Sequence, residues 1–357
     1  MLAKFEGMEV LSIFDEKLKT DIRAAADALL QGGVVAFPTE TVYGLGADAA
    51  NPQALRRIFE IKGRPPDHPL IVHIGHASLL DYWAEGIPEG AWRLALRFWP
   101  GPLTLILPRR THVSRLVTGG QDTVGLRVPD HPVALALLQD MGVDKGLAAP
   151  SANRFGRVSP TTAEHVRAEF GEQVDVLDGG PCRVGVESTI VDFSGNMPVL
   201  LRPGGIALPM LEETLGQNIL RPDAVPPSTR APGCLPSHYA PATPLEVCPA
   251  GAIGRRAWEL AAQGQHVAVM ELSAELPHFP GNPRLFRYLM PKQATAYAQA
   301  LYATLRKIDD ARFDRILVEA PPHTATWQAV HDRLRRAATL YSSTEVQPQE
   351  NTHEKIA

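Results

Sequence analysis

The 357-residue chain is poor in cysteine, in long apolar runs and in any excess of charge of one sign. Its three cysteines, Cys182, Cys234 and Cys248, are odd in number, widely spaced and without a CxxC pair. That argues against a disulfide framework or a cysteine-built zinc site and suits a reducing compartment. No apolar run reaches about 18 residues, so no membrane span is expected. The opening residues alternate charged and apolar side chains and do not read as a secretory signal. A cytoplasmic location is the expectation. Lys and Arg number 35 against 39 Asp and Glu, a formal net charge of -4. Such a balance exerts no overall pull toward nucleic acid or an anionic membrane, and any RNA contact would need a local basic patch. Also lacking are a GxxxxGK[S/T] phosphate loop, an HExxH helix and any cluster of Cys and His at metal-ligand spacing. The common ATPase-loop and zinc-hydrolase chemistries therefore lose support.

What is there reads as globular: 45% apolar and 21% charged residues, in a chain long enough for two hydrophobic cores. Ile22, Ala25, Ala26, Leu29 and Leu30 fall at helical spacing until Gly32 and Gly33 stop them. A strand over Val34 to Thr39 follows. Asn51 and Pro52 form a cap and first-turn pair for a helix to about Lys62, which it delivers to a loop stiffened by Pro65 and Pro66. The segment PLIVHI then reads as a strand ending at His73 and Ile74. LTLILP, TVGLRVP, a helix over Val133 to Met141 and a short strand into APSAN continue the pattern, and Thr161 with Glu164 reads as a capping box. Strands near 174–177, 188–193 and 199–201 precede a helix at Met210 to Leu215. Strands that follow one another without a helix predict an α/β domain over residues 1–220 with a mixed sheet. Residues 221–244 hold seven prolines and no periodicity, a semi-extended linker. Residues 245–341 alternate strand and helix like a small Rossmann-like domain without its glycine fingerprint, and a polar tail runs over 342–357.

Chemistry-bearing residues gather at strand ends. In FPTETVYGLG, Thr39 or Thr41 could hold a small polar ligand beside glycines that let backbone approach it, or could simply satisfy a tight turn. Lys62 and Arg64 suit a triphosphate, the arginine as a fork and the lysine as a point charge, unless they are merely solvated. His73 sits near a strand end as a substrate contact or a structural histidine. Arg127, in mid-strand, needs a ligand carboxylate or a neighbouring Asp or Glu, unless it faces outward. In APSANRFGRVSPTT, Ser151 and Asn153 close a strand, and Ser159 and Thr161 stand before a helix N-terminus, a place that attracts anions. Ser188 and Arg202 each mark a strand end.

Taken in order, FPTETVYGLG, KGRPPDHPLIVHI, TVGLRVPDHP, APSAN, GVESTIVD, LLRPG and HYAP closely resemble the YrdC-like threonylcarbamoyl-AMP synthase family, in its long form with a linker and a second domain. The resemblance implies a twisted α/β domain with a large concave basic cavity. It implies that Thr41, His73, Arg127, Ser151 and Ser188 contact L-threonine, and that Arg64, His68, Thr123, Asn153, Thr161 and Arg202 contact ATP. Lys62 belongs to the same K-x-R-P pattern, and Tyr239 of HYAP reaches back over the nucleotide. His68 stands where the family often has Asn, and no basic residue precedes HYAP, so closure would fall to His238 and Tyr239. The implied reaction joins L-threonine, bicarbonate and ATP into threonylcarbamoyl-AMP and pyrophosphate, with Mg2+ carried by ATP, no metal ligand from the protein and no protein nucleophile. Charge stabilisation would fall to Lys62, Arg64 and Arg202. The product would pass to a tRNA threonylcarbamoyl transferase complex, with at most a weak tRNA contact. Two rivals are a non-catalytic module for tRNA or double-stranded RNA and a carbamoyltransferase relative.

Overall fold

The computed structural model describes residues 14–221, 229–235, 237–272 and 282–338. The first helix, α1 (Glu16–Leu30), is capped by Asp15, whose carboxylate accepts from the Leu18 amide, and it buries Ile22, Ala25, Ala26 and Leu29. Strands β1 (Val35–Phe37) and β2 (Gly44–Asp48) pair antiparallel. β1 stops earlier than the expected Thr39 because Pro38 lacks a ladder donor and the Thr39 hydroxyl donates to the Val42 carbonyl at 2.6 Å, turning the chain. Helix α2 (Pro52–Lys62) starts at Asn51 and ends against Gly63 at φ 61. Next come β3 (Ile71–Ile74), α3 (Leu80–Trp83), α4 (Glu89–Phe98), β4 (Leu103–Pro108) and β5 (Thr123–Arg127). Helix α5 (Pro132–Met141), β6 (Gly146–Ala148), α6 (Ala163–Phe170), β7 (Asp175–Val176), β8 (Thr189–Asp192), β9 (Val199–Arg202) and α7 (Leu208–Leu215) complete the first domain. The cap of α6 is Thr162, which accepts from the His165 amide, and not Thr161, so the expected capping box is not formed: the residue three on from the cap is His165 and not Glu164.

Nine strands form one mixed sheet in the order β7-β1-β2-β6-β3-β5-β4-β8-β9. Strand alternation sends its side chains to two faces. Val72, Ile74, Leu105, Leu107, Val124 and Leu126 enter the main core with Leu94 of α4 and Leu211 of α7. Ile71, Ile106, Ile190 and Leu201 face the other way and pack with Ala231 and Cys234 of the linker. His73 and Arg127, in register on neighbouring parallel strands, share that second face, as do Thr104 and Ser188. The polar site is thus the continuation of the face against which the linker lies.

In the second domain β10 (Leu245–Cys248), α8 (Ala250–Ala262), β11 (Val267–Glu271), β12 (Leu285–Leu289), α9 (Ala294–Asp310), β13 (Arg315–Glu319) and α10 (Gln328–Ala338) build a four-stranded parallel sheet, ordered β10-β13-β11-β12. The α/β class, the mixed first sheet and the small Rossmann-like second sheet agree with the sequence reading. Strand β12 and helices α3 and α4 were not anticipated; Leu285–Leu289 has an arginine at its centre, which breaks the apolar run expected of a parallel strand. Val42, Val158 and Val186 of the first domain and Tyr239 of the linker join Tyr297, Leu301 and Tyr302 of α9 in one apolar cluster. The expected tail, 342–357, lies outside the described residues, as do 222–228 and 236 of the linker.

Candidate functional site

The concave face closes into a cavity whose walls include Thr41, Arg64, His73, Arg127, Ser151, Ser188 and Arg202, roofed by Pro232, Gly233, His238 and Tyr239 of the linker. Ten residues singled out in the sequence therefore meet at one place: those seven with Thr39, His238 and Tyr239. The free space is about 50 Å³, far below the roughly 300 Å³ of small-ligand pockets, because the linker side chains fill it.

Arg127 is buried, and its Nη2 lies 2.7 Å from Glu40 Oε1 and donates to Thr41 Oγ1 at 2.9 Å. The neighbouring acid foreseen as one of its two possible partners is present, while its edge still faces the cavity. Its Nε has no hydrogen-bond partner among the described residues. His73, packed edge-on to Phe37, has its pKa pushed down to about 3 by burial and by Arg127, so its ring is neutral near pH 7. Ser188 Oγ lies 2.7 Å from Thr104 Oγ1 and accepts from Arg202 Nη2 at 3.0 Å. The Arg202 Nε donates to the Ser188 carbonyl at 3.0 Å and its Nη1 to the Pro232 carbonyl at 2.9 Å.

Arg64 lies past the end of α2, donates to the Pro69 carbonyl at 2.8 Å, sits over the Phe155 ring, and has its pKa lowered to about 10 by burial. Lys62 differs from the exposed loop cation expected. It is the last residue of α2, buried, and its Nζ donates to the Ser151 carbonyl at 2.6 Å and to the Asn153 carbonyl. Burial and the charge of Arg64 push its pKa well below the ordinary lysine value. Lys62 therefore shapes the APSAN loop and does not line the cavity.

Four further expected residues stand outside the cavity walls. His68 packs edge-on to Phe155. Thr123 opens β5, on the same face as Arg127 but four residues away, about 13 Å along the strand. Asn153 is buried and donates to the Arg154 and Arg157 carbonyls at 2.7 and 2.9 Å. The Thr161 amide donates to His165 Nδ1 at 3.2 Å.

Tyr239 is buried at φ 59, and burial raises its phenol to about 12. A Cβ on Gly233 would lie 1.8 Å from the Tyr239 hydroxyl oxygen, so the close approach requires glycine there. Two acids of the site carry no signal of their own in the sequence beyond their place in the motifs: Glu40, beside Thr41, and Glu187, beside Ser188. Glu187 accepts from Ser159 Oγ at 2.6 Å, from Tyr302 Oη at 3.0 Å and from Arg333 Nε at 2.7 Å. Burial opposes its charge, but Arg333 and Arg202 outweigh that and hold its pKa below the usual carboxylate range. Tyr302 and Arg333 lie in the second domain, and no local pattern connects them to Glu187.

Among the described residues no three His, Cys, Asp or Glu gather to hold a metal, and no helix is long and apolar enough to cross a membrane. The arginines of the site are buried around a cavity and do not form the contiguous basic surface that an RNA-binding module would need.

Comparison with known proteins agrees with the geometry. The Sua5, YciO and YrdC family, described as "Telomere recombination", matches residues 27–204, and "Threonylcarbamoyl-AMP synthase, C-terminal domain" matches 206–339. A threonylcarbamoyl-AMP synthase of Pyrococcus abyssi is 42% identical over 330 residues, 89% of this chain and 94% of the relative. That of Bacillus subtilis is 40% identical over 340 residues, covering 92% and 96%. The crystal structure of P. abyssi Sua5 complexed with L-threonine superposes with a TM-score of 0.81 at 40% identity, over 89% of this chain and 94% of that one.

Proposed function

Because the chain belongs to the two-domain threonylcarbamoyl-AMP synthase family, we propose that it makes threonylcarbamoyl-AMP and pyrophosphate from L-threonine, bicarbonate and ATP. The observation that carries this reading is the convergence of three buried arginines, Arg64, Arg127 and Arg202, on one cavity lined by hydroxyls. Anionic substrates are what such a site can hold, since buried guanidinium groups need acceptors.

In this scheme Arg127 takes the threonine carboxylate as a fork, with Thr41, His73, Ser151 and Ser188 as the polar wall around the amino acid. A neutral His73 adds no competing cation there. The threonine amine, once deprotonated, adds to carbon dioxide derived from bicarbonate and gives a carbamate. A carbamate oxygen then attacks the α-phosphorus of ATP, the bond to the bridging oxygen breaks, and pyrophosphate leaves with the electron pair. Water is the other product, from the bicarbonate. Arg64 and Arg202 are the proposed holders of the phosphate oxygens, a reading supported by their burial in the cavity wall, and positioning with charge stabilisation suffices without a protein nucleophile. Magnesium bound to ATP would offset charge on the leaving phosphates. Lys62 contributes at one remove, by fixing the Ser151 and Asn153 backbone. His68, Thr123, Asn153 and Thr161 are the proposed outer contacts of the nucleotide. Tyr239 and its linker must swing away for ATP to enter and can then shelter the carbamate from water. A tRNA threonylcarbamoyl transferase complex would consume the product.

With magnesium and ATP, the purified protein should release pyrophosphate only when threonine and bicarbonate are both present. Equal release without threonine would overturn the assignment.

A further inference from the structure

The wall of the cavity around Glu187 and Ser188 is held from the second domain. A Cβ on Gly185 would lie 2.4 Å from the Gln299 Cα, so α9 is seated directly on this segment. Arg333 of α10 is wholly buried. Beside its bond to Glu187 it donates to Asp332 Oδ2 at 2.8 Å and to the Pro203 carbonyl at 3.0 Å, and its guanidinium carbon lies 5.1 Å from the centre of the Tyr239 ring. Glu187 and Arg202 line the same cavity. The Arg202 charge acts on Glu187 through space, yet Arg202 itself bonds Ser188 and the Pro232 carbonyl. A buried carboxylate seeks the nearest cation when its own is removed. The cation at hand is Arg202.

We propose that Arg333 is a positioning residue for the nucleotide: by holding Glu187 it leaves Arg202 available to phosphate. This rests on the reading of Arg64 and Arg202 as the phosphate side of the site. It gives the second domain a part in the reaction, since Arg333 belongs to α10 and Glu187 to the first domain. Losing Arg333 would let Glu187 capture Arg202 and would weaken ATP binding, while Arg127, which pairs with Glu40, would keep its grip on threonine.

The test is a set of variants of the full chain, Arg333→Met, Arg333→Lys and the double variant Glu187→Gln with Arg333→Met, measured for KM of each substrate and for calorimetric ATP affinity. Arg333→Met should raise KM for ATP by about 10-fold or more while KM for threonine moves by less than about threefold. The double variant, which removes carboxylate and counter-charge together, should return KM for ATP to within about threefold of the unaltered chain. Should Arg333→Met fail to fold, Arg333→Lys, which keeps the charge without the fork, is read against the double variant and should still raise KM for ATP by a few-fold. An unchanged KM for ATP in folded single variants, an equal rise for both substrates, or a double variant as impaired as the single one would each overturn the proposal. If the unaltered chain binds ATP but releases no pyrophosphate, the functional reading falls, and the ATP affinities of the set still decide the role of Arg333.

Discussion

The first domain and the second bury their arginines equally deeply, but satisfy them differently. Arg64 and Arg127 face a cavity, and the Nε of each lacks a partner among the described residues. Arg333 meets Glu187, Asp332 and the Pro203 carbonyl, while Arg336 meets Asp332 and the Leu235 carbonyl. Depth of burial therefore does not identify a binding residue, and neither does an unmet donor alone, since the Nε of Arg109 and of Arg315 also lacks a partner among the described residues away from this cavity; the two together, in a cavity wall, single out Arg64 and Arg127. Arg202 lies between the two cases: it lines the cavity, yet it bonds the carbonyl and hydroxyl of Ser188 and, in the linker, the Pro232 carbonyl and the Tyr239 hydroxyl. The two Ser188 acceptors belong to the wall that Arg333 secures, and the two linker acceptors belong to the roof.

The largest effect that would break this comparison is expected at Arg127. Arg127→Ala removes the proposed carboxylate partner and strands Glu40, and threonine affinity should fall by about 30-fold or more, in keeping with the roughly 2–5 kcal/mol that follows truncation of one member of a buried charge pair. ATP affinity should change far less; parallel losses in calorimetry would show that Arg127 is a joint like Arg333. Next is the roof. Gly233 sits at φ 74 against the Tyr239 hydroxyl, so Gly233→Ala should lower stability by about 1–2 kcal/mol and speed proteolytic cleavage of the linker, while the first-domain fragment survives. An uncleaved, fully stable variant would mean that Tyr239 is not fixed by this approach.

A pH measurement sharpens the contrast on the threonine side. His73 has a folded pKa of about 3 against an ordinary 6.5, so between those values the unfolded chain binds the extra proton. Stability then rises with pH across that window and is lost as pH falls, with a slope from this group approaching about 1.4 kcal/mol per pH unit. His73→Gln should flatten the slope of denaturant stability between pH 4 and 6 (about the middle of that window); an unaltered slope would place the titration elsewhere. His131, lowered to about 4 mainly by burial, supplies a similar background slope in both chains. The smallest effect separates cap from ligand. Thr162→Ala should cost about 1 kcal/mol of stability with ATP affinity unchanged, and Thr161→Ala the reverse; a stability loss confined to Thr161→Ala would restore the cap to the earlier residue.

Much of the fold was legible because its signals are local. Asn51 and Pro52 start α2, Gly63 ends it, and the apolar alternation in PLIVHI and TVGLRVP marks strands whatever surrounds them. That His73 and Arg127 share one face follows from the pairing of β3 with β5, which no local pattern announces. Thr161 was taken for the cap because Thr162 offers the same hydroxyl one position on, and only the backbone path chooses between them. Lys62 was correctly placed at the end of its helix, yet its sequence neighbours could not reveal that its ammonium turns inward to the carbonyls of residues 151 and 153.

The sequence by itself determined the class of fold, the two-domain order, the family and most of the polar residues around the cavity, since each depends on spacing along the chain or on motifs read in order. Only the tertiary structure decided which of those residues touch the same space, that Glu40 accompanies Arg127, and that Arg333 holds Glu187 from 146 residues away. The reason is physical: charge pairing acts over a few ångströms of space without regard to separation along the chain, so a buried carboxylate names its partner only once the chain has folded.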